Sequence, residues 1–223
     1  MTTKLSDIAY GEGRHLDLYL PEGPRPPVVV LVAGYRSADV EKYFGGKPRE
    51  LPMARAWGER IAAAGLAAAI YSNVDPAPDL DAVLEHVRGR ADVDGERIAL
   101  WGASGNGPLA LSRLAAARCA ALLYPYLLGP EVEPAAARFG FTNPATAPDV
   151  IPPLYLIRAG ADATPGLNAT IDRFAADSLA RDRPFTLVNV AGAPHAFDYT
   201  RDIEVSREIV GGAIDFLVRE LRR

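Results

Sequence analysis

The chain has a single cysteine, Cys119, so no disulfide can close within it and no cluster of thiolates can hold a metal. Cys119 opens the apolar run Cys119 to Tyr124 and reads as a small buried hydrophobe rather than a catalytic thiol. Positive charge is not in excess either. The 24 Lys and Arg stand against 28 Asp and Glu and are scattered, which leaves no basic field for a phosphate backbone and argues against a nucleic-acid partner. No apolar run is long enough to cross a bilayer, and Met1 to Asp7 lacks the apolar stretch of a secretory signal. A soluble, cytoplasmic protein with no membrane partner is therefore expected. Histidine is scarce: His15, His86 and His195 are the only three imidazoles available for acid–base work.

What is present is apolar material in short runs. At 223 residues and 49% hydrophobic, the chain suits one domain spanning residues 1–223 with a substantial core. Apolar runs at Val28 to Val32, Leu66 to Ile70, Ile98 to Trp101, Cys119 to Tyr124, Leu154 to Ile157 and Phe185 to Val190 lack polar alternation, as strands buried on both faces do. Helical patterns lie between them at Met53 to Ala64, Leu80 to Arg90, Pro108 to Ala117 and Pro165 to Ala180, with a last one near Arg207 to Leu221. This alternation predicts an α/β fold: a mostly parallel central sheet with helices on both faces. Gly65 stands where a helix C-cap belongs, Asp79 precedes the Leu80 helix, and Thr164 with Pro165 reads as an N-cap and first-turn proline. Arg14 to Leu20 alternates polar and apolar residues like an antiparallel edge strand. Arg36 to Pro52 and Pro125 to Pro153 are long, Gly- and Pro-rich connections of the kind that carry binding loops.

The segment Ile98 to Pro108 passes from a buried strand through the small residues Gly102, Ala103, Ser104, Gly105 and Asn106 into a helix. A serine on such a turn is presented at the carboxyl end of the sheet, where open α/β folds bind ligands. Two other readings stand beside it: Ser104 as a helix N-cap, and Gly102, Gly105 and Gly107 as a phosphate-cradling loop of a nucleotide-binding protein. The order of the glycines reverses the dinucleotide fingerprint, and the acidic residue about 20 positions on is missing.

A serine hydroxyl needs a base, and His195 supplies one in the loop after the last apolar run, whereas His15 and His86 fall on a strand and a helix. An acid should then orient the imidazole. Asp162, after the penultimate run, is the candidate; Glu131 and Glu133, one strand earlier, are the alternatives. Two backbone N–H groups are needed for the oxyanion, and Gly105 and Tyr35 are assigned to it, because Gly34 lets the first strand-ending loop approach closely.

The elbow resembles that of the α/β-hydrolase superfamily, Gly-x-Ser-x-Gly, with Asn106 in place of the last glycine. Together with Tyr19, Leu20 and Pro21, Gly160 to Gly166, and His195 to Asp198, it is similar to the dienelactone-hydrolase-like and small carboxylesterase branch. The resemblance implies hydrolysis of a small-molecule ester, lactone or thioester through an acyl-enzyme, with no metal, no cofactor and little or no cap domain. Dienelactone hydrolases proper carry cysteine where this chain has Ser104. Arg36, Tyr71, Tyr124 and Phe197 are expected near the substrate pocket, Arg36 pointing either into it or to solvent. A non-catalytic binding module on the same fold is the rival reading.

Overall fold

A computed structural model describes residues 2–129, 132–143, 149–200 and 203–223. Eight strands form one sheet: β1 (Thr3–Gly11), β2 (Arg14–Leu20), β3 (Pro27–Leu31), β4 (Ala67–Tyr71), β5 (Asp94–Ala103), β6 (Cys119–Leu123), β7 (Leu154–Ala159) and β8 (Phe185–Val190). Their order is β1-β2-β4-β3-β5-β6-β7-β8. The first two strands run antiparallel, and every pairing from β4 to β8 is parallel. The helices are α1 (Ser37–Phe44), α2 (Pro52–Ala63), α3 (Pro76–Arg88), α4 (Gly107–Ser112), α5 (Val132–Phe139), α6 (Leu167–Ala180), α7 (Phe197–Thr200) and α8 (Ile203–Arg222).

The apolar runs of β3 to β7 arise because both faces of the sheet are covered there; β8, expected to be buried, is an edge strand with no fully buried residue, and β2, expected at an edge, is closed in by β1 and largely buried. Val28 and Val30 of β3 belong to one buried layer that includes Leu80, Val83 and Leu84 of α3 and, further along the sheet, Ile171 of α6. Val29 and Leu31 turn to the opposite layer, where Trp57 and Ile61 of α2 meet Val210, Ile214 and Leu217 of α8. Successive strand residues point to opposite faces, so a strand between two helical layers has no solvent side to spend on polar residues. Each fully buried aliphatic side chain contributes roughly 1.5–3 kcal/mol. Trp57 and Trp101 join α2 to the centre of the sheet with ring centroids 5.5 Å apart. Among the described residues no helix is long and apolar enough to cross a membrane.

Several local expectations need correction. The helix expected over Pro108 to Ala117 ends at Ser112, and a separate 3-10 turn covers Leu114–Ala116. The helix expected from Pro165 begins at Leu167, because Gly166 adopts a left-handed conformation at φ 76° and breaks the run. Asp79 does not precede its helix: α3 starts at Pro76, and the Asp79 carboxylate accepts the Val74 and Asp75 N–H groups at 2.7 and 3.0 Å. Gly65, at φ 87°, does follow α2 in the left-handed conformation that a C-cap uses. Strand β1 went unread because its burial is irregular and its polar content high. Both long connections contain helices, α1 in the first and α5 in the second.

Candidate active site

The carboxyl ends of β3, β5, β7 and β8 converge on Ser104. This residue has φ 53°, a left-handed backbone that costs a non-glycine roughly 1–2 kcal/mol. Two donors hold it there through its carbonyl: the Gly107 N–H and, at 3.0 Å, the Tyr126 N–H. Ala196 and Tyr124 also have positive φ, at 53° and 35°, so three such non-glycine residues surround one imidazole. Strain maintained in this way is characteristic of functional sites.

Parallel pairing of β7 with β8 brings the next two groups together. The ladder continues past the strands, with Gly160 N–H donating to Val190 O and Ala161 N–H to Ala193 O, both at 2.9 Å. Asp162 and His195 therefore leave the sheet side by side. His195 Nδ1 lies 2.6 Å from Asp162 Oδ2, and His195 Nε2 lies 2.9 Å from Ser104 Oγ. The Asp162 side chain has no solvent exposure, whereas His195 keeps 30%. Burial alone would raise the Asp162 pKa, but hydrogen bonds from His195 and Thr164 outweigh it and hold the carboxyl below its ordinary value. The charged acid that results fixes Nδ1–H as the donor, which leaves Nε2 free to accept the Ser104 proton.

Among the alternative acids, Glu133 is exposed on α5, and Glu131 lies outside the described residues. Asp198, three residues after the histidine, binds elsewhere: the Tyr124 hydroxyl donates to its Oδ1 at 2.6 Å.

The loop after β3 is clamped to the elbow. Gly34 N–H donates to Asn106 Oδ1 at 2.7 Å, so the residue that departs from the sequence motif links the Ser104 turn to the loop after β3. A Cβ at Gly34 would stand 2.9 Å from both Asn106 Cα and Gly105 O, which explains why glycine is required. Asn73 holds the other side. Its Nδ2 donates to Ala33 O and Tyr35 O at 2.7 and 3.0 Å, and its Oδ1 accepts the Ser37 N–H at 2.9 Å. Sequence reasoning missed Asn73; its position just beyond β4, on the same sheet edge, was the available signal.

The three glycines of the turn are each closely packed. Gly102 faces Leu122 and Ala110, Gly105 is covered by Tyr35 and Phe141, and Gly107 lies under Pro125 and the Tyr126 carbonyl.

The expected pocket residues separate into different roles. Tyr71 is fully buried and its hydroxyl accepts the Ala33 N–H at 3.1 Å, so it supports the loop and cannot line a pocket. Tyr124 and Phe197 are also buried; the Tyr124 ring stands edge-on to His195 at 5.0 Å and walls the imidazole. Arg36 is exposed at the start of α1. A cavity of about 230 Å³ is lined by Tyr126, Ala135, Arg138, Phe139 and Pro165 among others, and Ser104, Asp162 and His195 are not in its lining. The larger one, about 300 Å³, lies among the loops leading into β3 and β5 and contains none of the site residues.

A serine on a strained elbow, a histidine within hydrogen-bond reach and a mainly parallel eight-stranded sheet together define the α/β-hydrolase fold, and solved structures agree. Esterase 2 of Thermogutta terrifontis, in a structure phosphonylated by sarin, superposes with a TM-score of 0.73 at 22% identity, covering 92% of this chain and 90% of that one. The Pyrobaculum calidifontis esterase gives 0.72 at 19% identity, covering 98% and 85%. A bacterial heroin esterase gives 0.71 at 18% identity, covering 100% and 85%. No family model and no curated protein matches the chain.

Proposed function

We propose that the protein is a serine hydrolase that cleaves carboxylic esters of small molecules through an acyl-enzyme. The observation that carries this reading is the continuous contact from Ser104 Oγ through His195 to the enclosed Asp162 carboxylate. In this mechanism Ser104 attacks the ester carbonyl while His195 Nε2 takes its proton, and Asp162 stabilises the imidazolium. The carbonyl oxygen, now negative, is received by the N–H groups of Gly105 and Tyr35. Collapse expels the alcohol, protonated by His195; water activated by the same imidazole then releases the acid. No step calls for a metal or cofactor.

The structural neighbours support the reading, since esterases bear the same fold and one of them is phosphonylated by an organophosphorus agent. Lactones and thioesters present the same acyl chemistry. The setting is taken as the cytoplasm, with residues 1–223 working as one unit.

The test is Ser104→Ala assayed on p-nitrophenyl esters of increasing acyl length. The variant is expected to fold and to lose nearly all turnover, and a fluorophosphonate is expected to label the wild type alone. Wild-type turnover in the purified variant would overturn the serine-hydrolase reading.

A further inference from the structure

Asp198 is an acid that the mechanism above leaves unused, three residues after the proposed base. The chain between them bends back: Ala196 has a left-handed backbone at φ 53°, Phe197 is buried, and the Ser206 hydroxyl of α8 donates to Phe197 O at 3.3 Å. His195 and Asp198 both meet one side chain, that of Tyr124. Its hydroxyl donates to Asp198 Oδ1 at 2.6 Å, while its ring stands edge-on to His195 at 5.0 Å and to Phe197 at 5.9 Å. A bond this short from a phenol to a carboxylate is charge-assisted and roughly twice as strong as a neutral one. The contacts close a circuit that runs from the imidazole along the backbone to the Asp198 carboxylate, across to the phenol, and through the ring to the imidazole again.

Tyr124 is in turn fixed to the sheet. It directly follows β6, keeps the disfavoured φ of 35°, and its N–H donates to Ile157 O of β7 at 2.6 Å. Two residues on, the Tyr126 N–H donates to Ser104 O at 3.0 Å. One short stretch after β6 thus holds the nucleophile through its main chain and touches the base through a side chain. Ring packing alone would be served as well by phenylalanine; what the tyrosine adds is the bond to Asp198.

We propose that Tyr124 and Asp198 are positioning residues, whose hydrogen bond clamps the His195 loop to the end of β6 and so sets the imidazole at its working distance from Ser104. Asp162 holds Nδ1, but a single hydrogen bond leaves an imidazole free to pivot about it. The Tyr124 ring bars that pivot, and Asp198 keeps the ring from withdrawing. Neither residue touches the reacting atoms. The clamp acts through geometry, and a misplacement of about 1 Å at a reacting group can cost on the order of 10²-fold in rate. Burial raises the Asp198 carboxyl above its ordinary value and the Tyr124 hydrogen bond opposes that rise, so loss of the phenol leaves the carboxylate without its donor at 2.6 Å.

The inference rests on the esterase reading, and the variants are chosen so that the two can fail separately. Tyr124→Phe keeps the ring against His195 and Phe197 and removes only the hydroxyl. Asp198→Asn keeps an oxygen that can accept from the phenol, and Asp198→Ala does not. Each kcat is taken per Ser104 labelled to completion by a fluorophosphonate, so loss of folded protein does not enter. Tyr124→Phe and Asp198→Ala are each expected to lose roughly tenfold in kcat with KM within about twofold, and Asp198→Asn to recover most of that loss. The double variant Tyr124→Phe/Asp198→Ala should be no slower than the slower single, because both changes break the same bond. Full kcat per labelled serine in Tyr124→Phe overturns the proposal, even where that variant unfolds at lower urea, and so do losses that multiply in the double variant. A wild type that neither turns over esters nor takes the label would instead overturn the esterase reading itself.

Discussion

Asp162 illustrates how much of the mechanism a single carboxyl decides. It accepts from His195 Nδ1 and from the Thr164 N–H at 2.8 Å, and it has no water to replace either donor. Asp162→Asn keeps the shape but presents an amide, which favours the wrong imidazole tautomer. The expected consequence is a fall in kcat of up to ~10⁴, the size of that effect in a well-studied triad, with little change in KM. Glu133→Gln, on the exposed side of α5, is expected to leave kcat unaltered. Full activity in Asp162→Asn combined with a dead Glu133→Gln would move the acid to the preceding connection. Arg36, exposed at the end of the loop after β3, gives no basis for selecting carboxylate-bearing substrates. Arg36→Met is expected to change kcat/KM equally little for charged and neutral esters of the same size.

At the scale of elements, the elbow and the loop after β3 act as one part because Asn106 joins them. A glycine at 106 would complete the Gly-x-Ser-x-Gly pattern but remove the acceptor for a buried Gly34 N–H, a loss of roughly 1–3 kcal/mol. Asn106→Gly is thus expected to lower both the urea midpoint and kcat, and a variant at least as stable and active as the wild type would show that the clamp contributes nothing. The same elements show what was legible beforehand. Strands β3 to β7 could be read because burial writes itself as an apolar run, and Ser104, Asp162 and His195 because each follows an apolar run; β8, read as buried, is instead the edge strand of the sheet and none of its residues is fully buried. Less of the rest was encoded locally. Whether Asn106 is a defect or a clamp depends on Gly34, far off in sequence, and Tyr71 could be taken for a pocket wall because an aromatic residue at a strand end looks the same from either side of the loop it supports. Helix α4 ended early for a tertiary reason as well: Arg113, at φ −113°, leaves the helix and pairs with Asp81 of α3 at 2.7 Å.

For the molecule as a whole, the enclosed acids make stability depend on pH in opposite senses. Asp198 is raised above its ordinary value of 3.8, first by burial, against hydrogen bonds from Tyr124 and Trp57 and the nearby His195 charge. Its folded form binds a proton more readily than the unfolded chain does. Its contribution to stability is therefore fully present below pH 3.8 and is lost as the pH rises through the folded value. Asp162, held below 3.8, behaves inversely: its contribution is present above that pH and is lost as the pH falls through the folded value. Urea unfolding of the wild type, Asp198→Asn and Asp162→Asn across the acidic range separates the two. The wild type should lose stability relative to Asp198→Asn as pH rises from below 3.8 towards neutrality, and should gain relative to Asp162→Asn over the lower part of that range. A pH-independent difference for Asp198→Asn would mean that its carboxyl titrates alike in both states. In that case the Tyr124 hydroxyl and the other donors fully compensate its burial, and above its ordinary value of 3.8 the wall behind His195 is held by hydrogen bonds to a charged carboxylate.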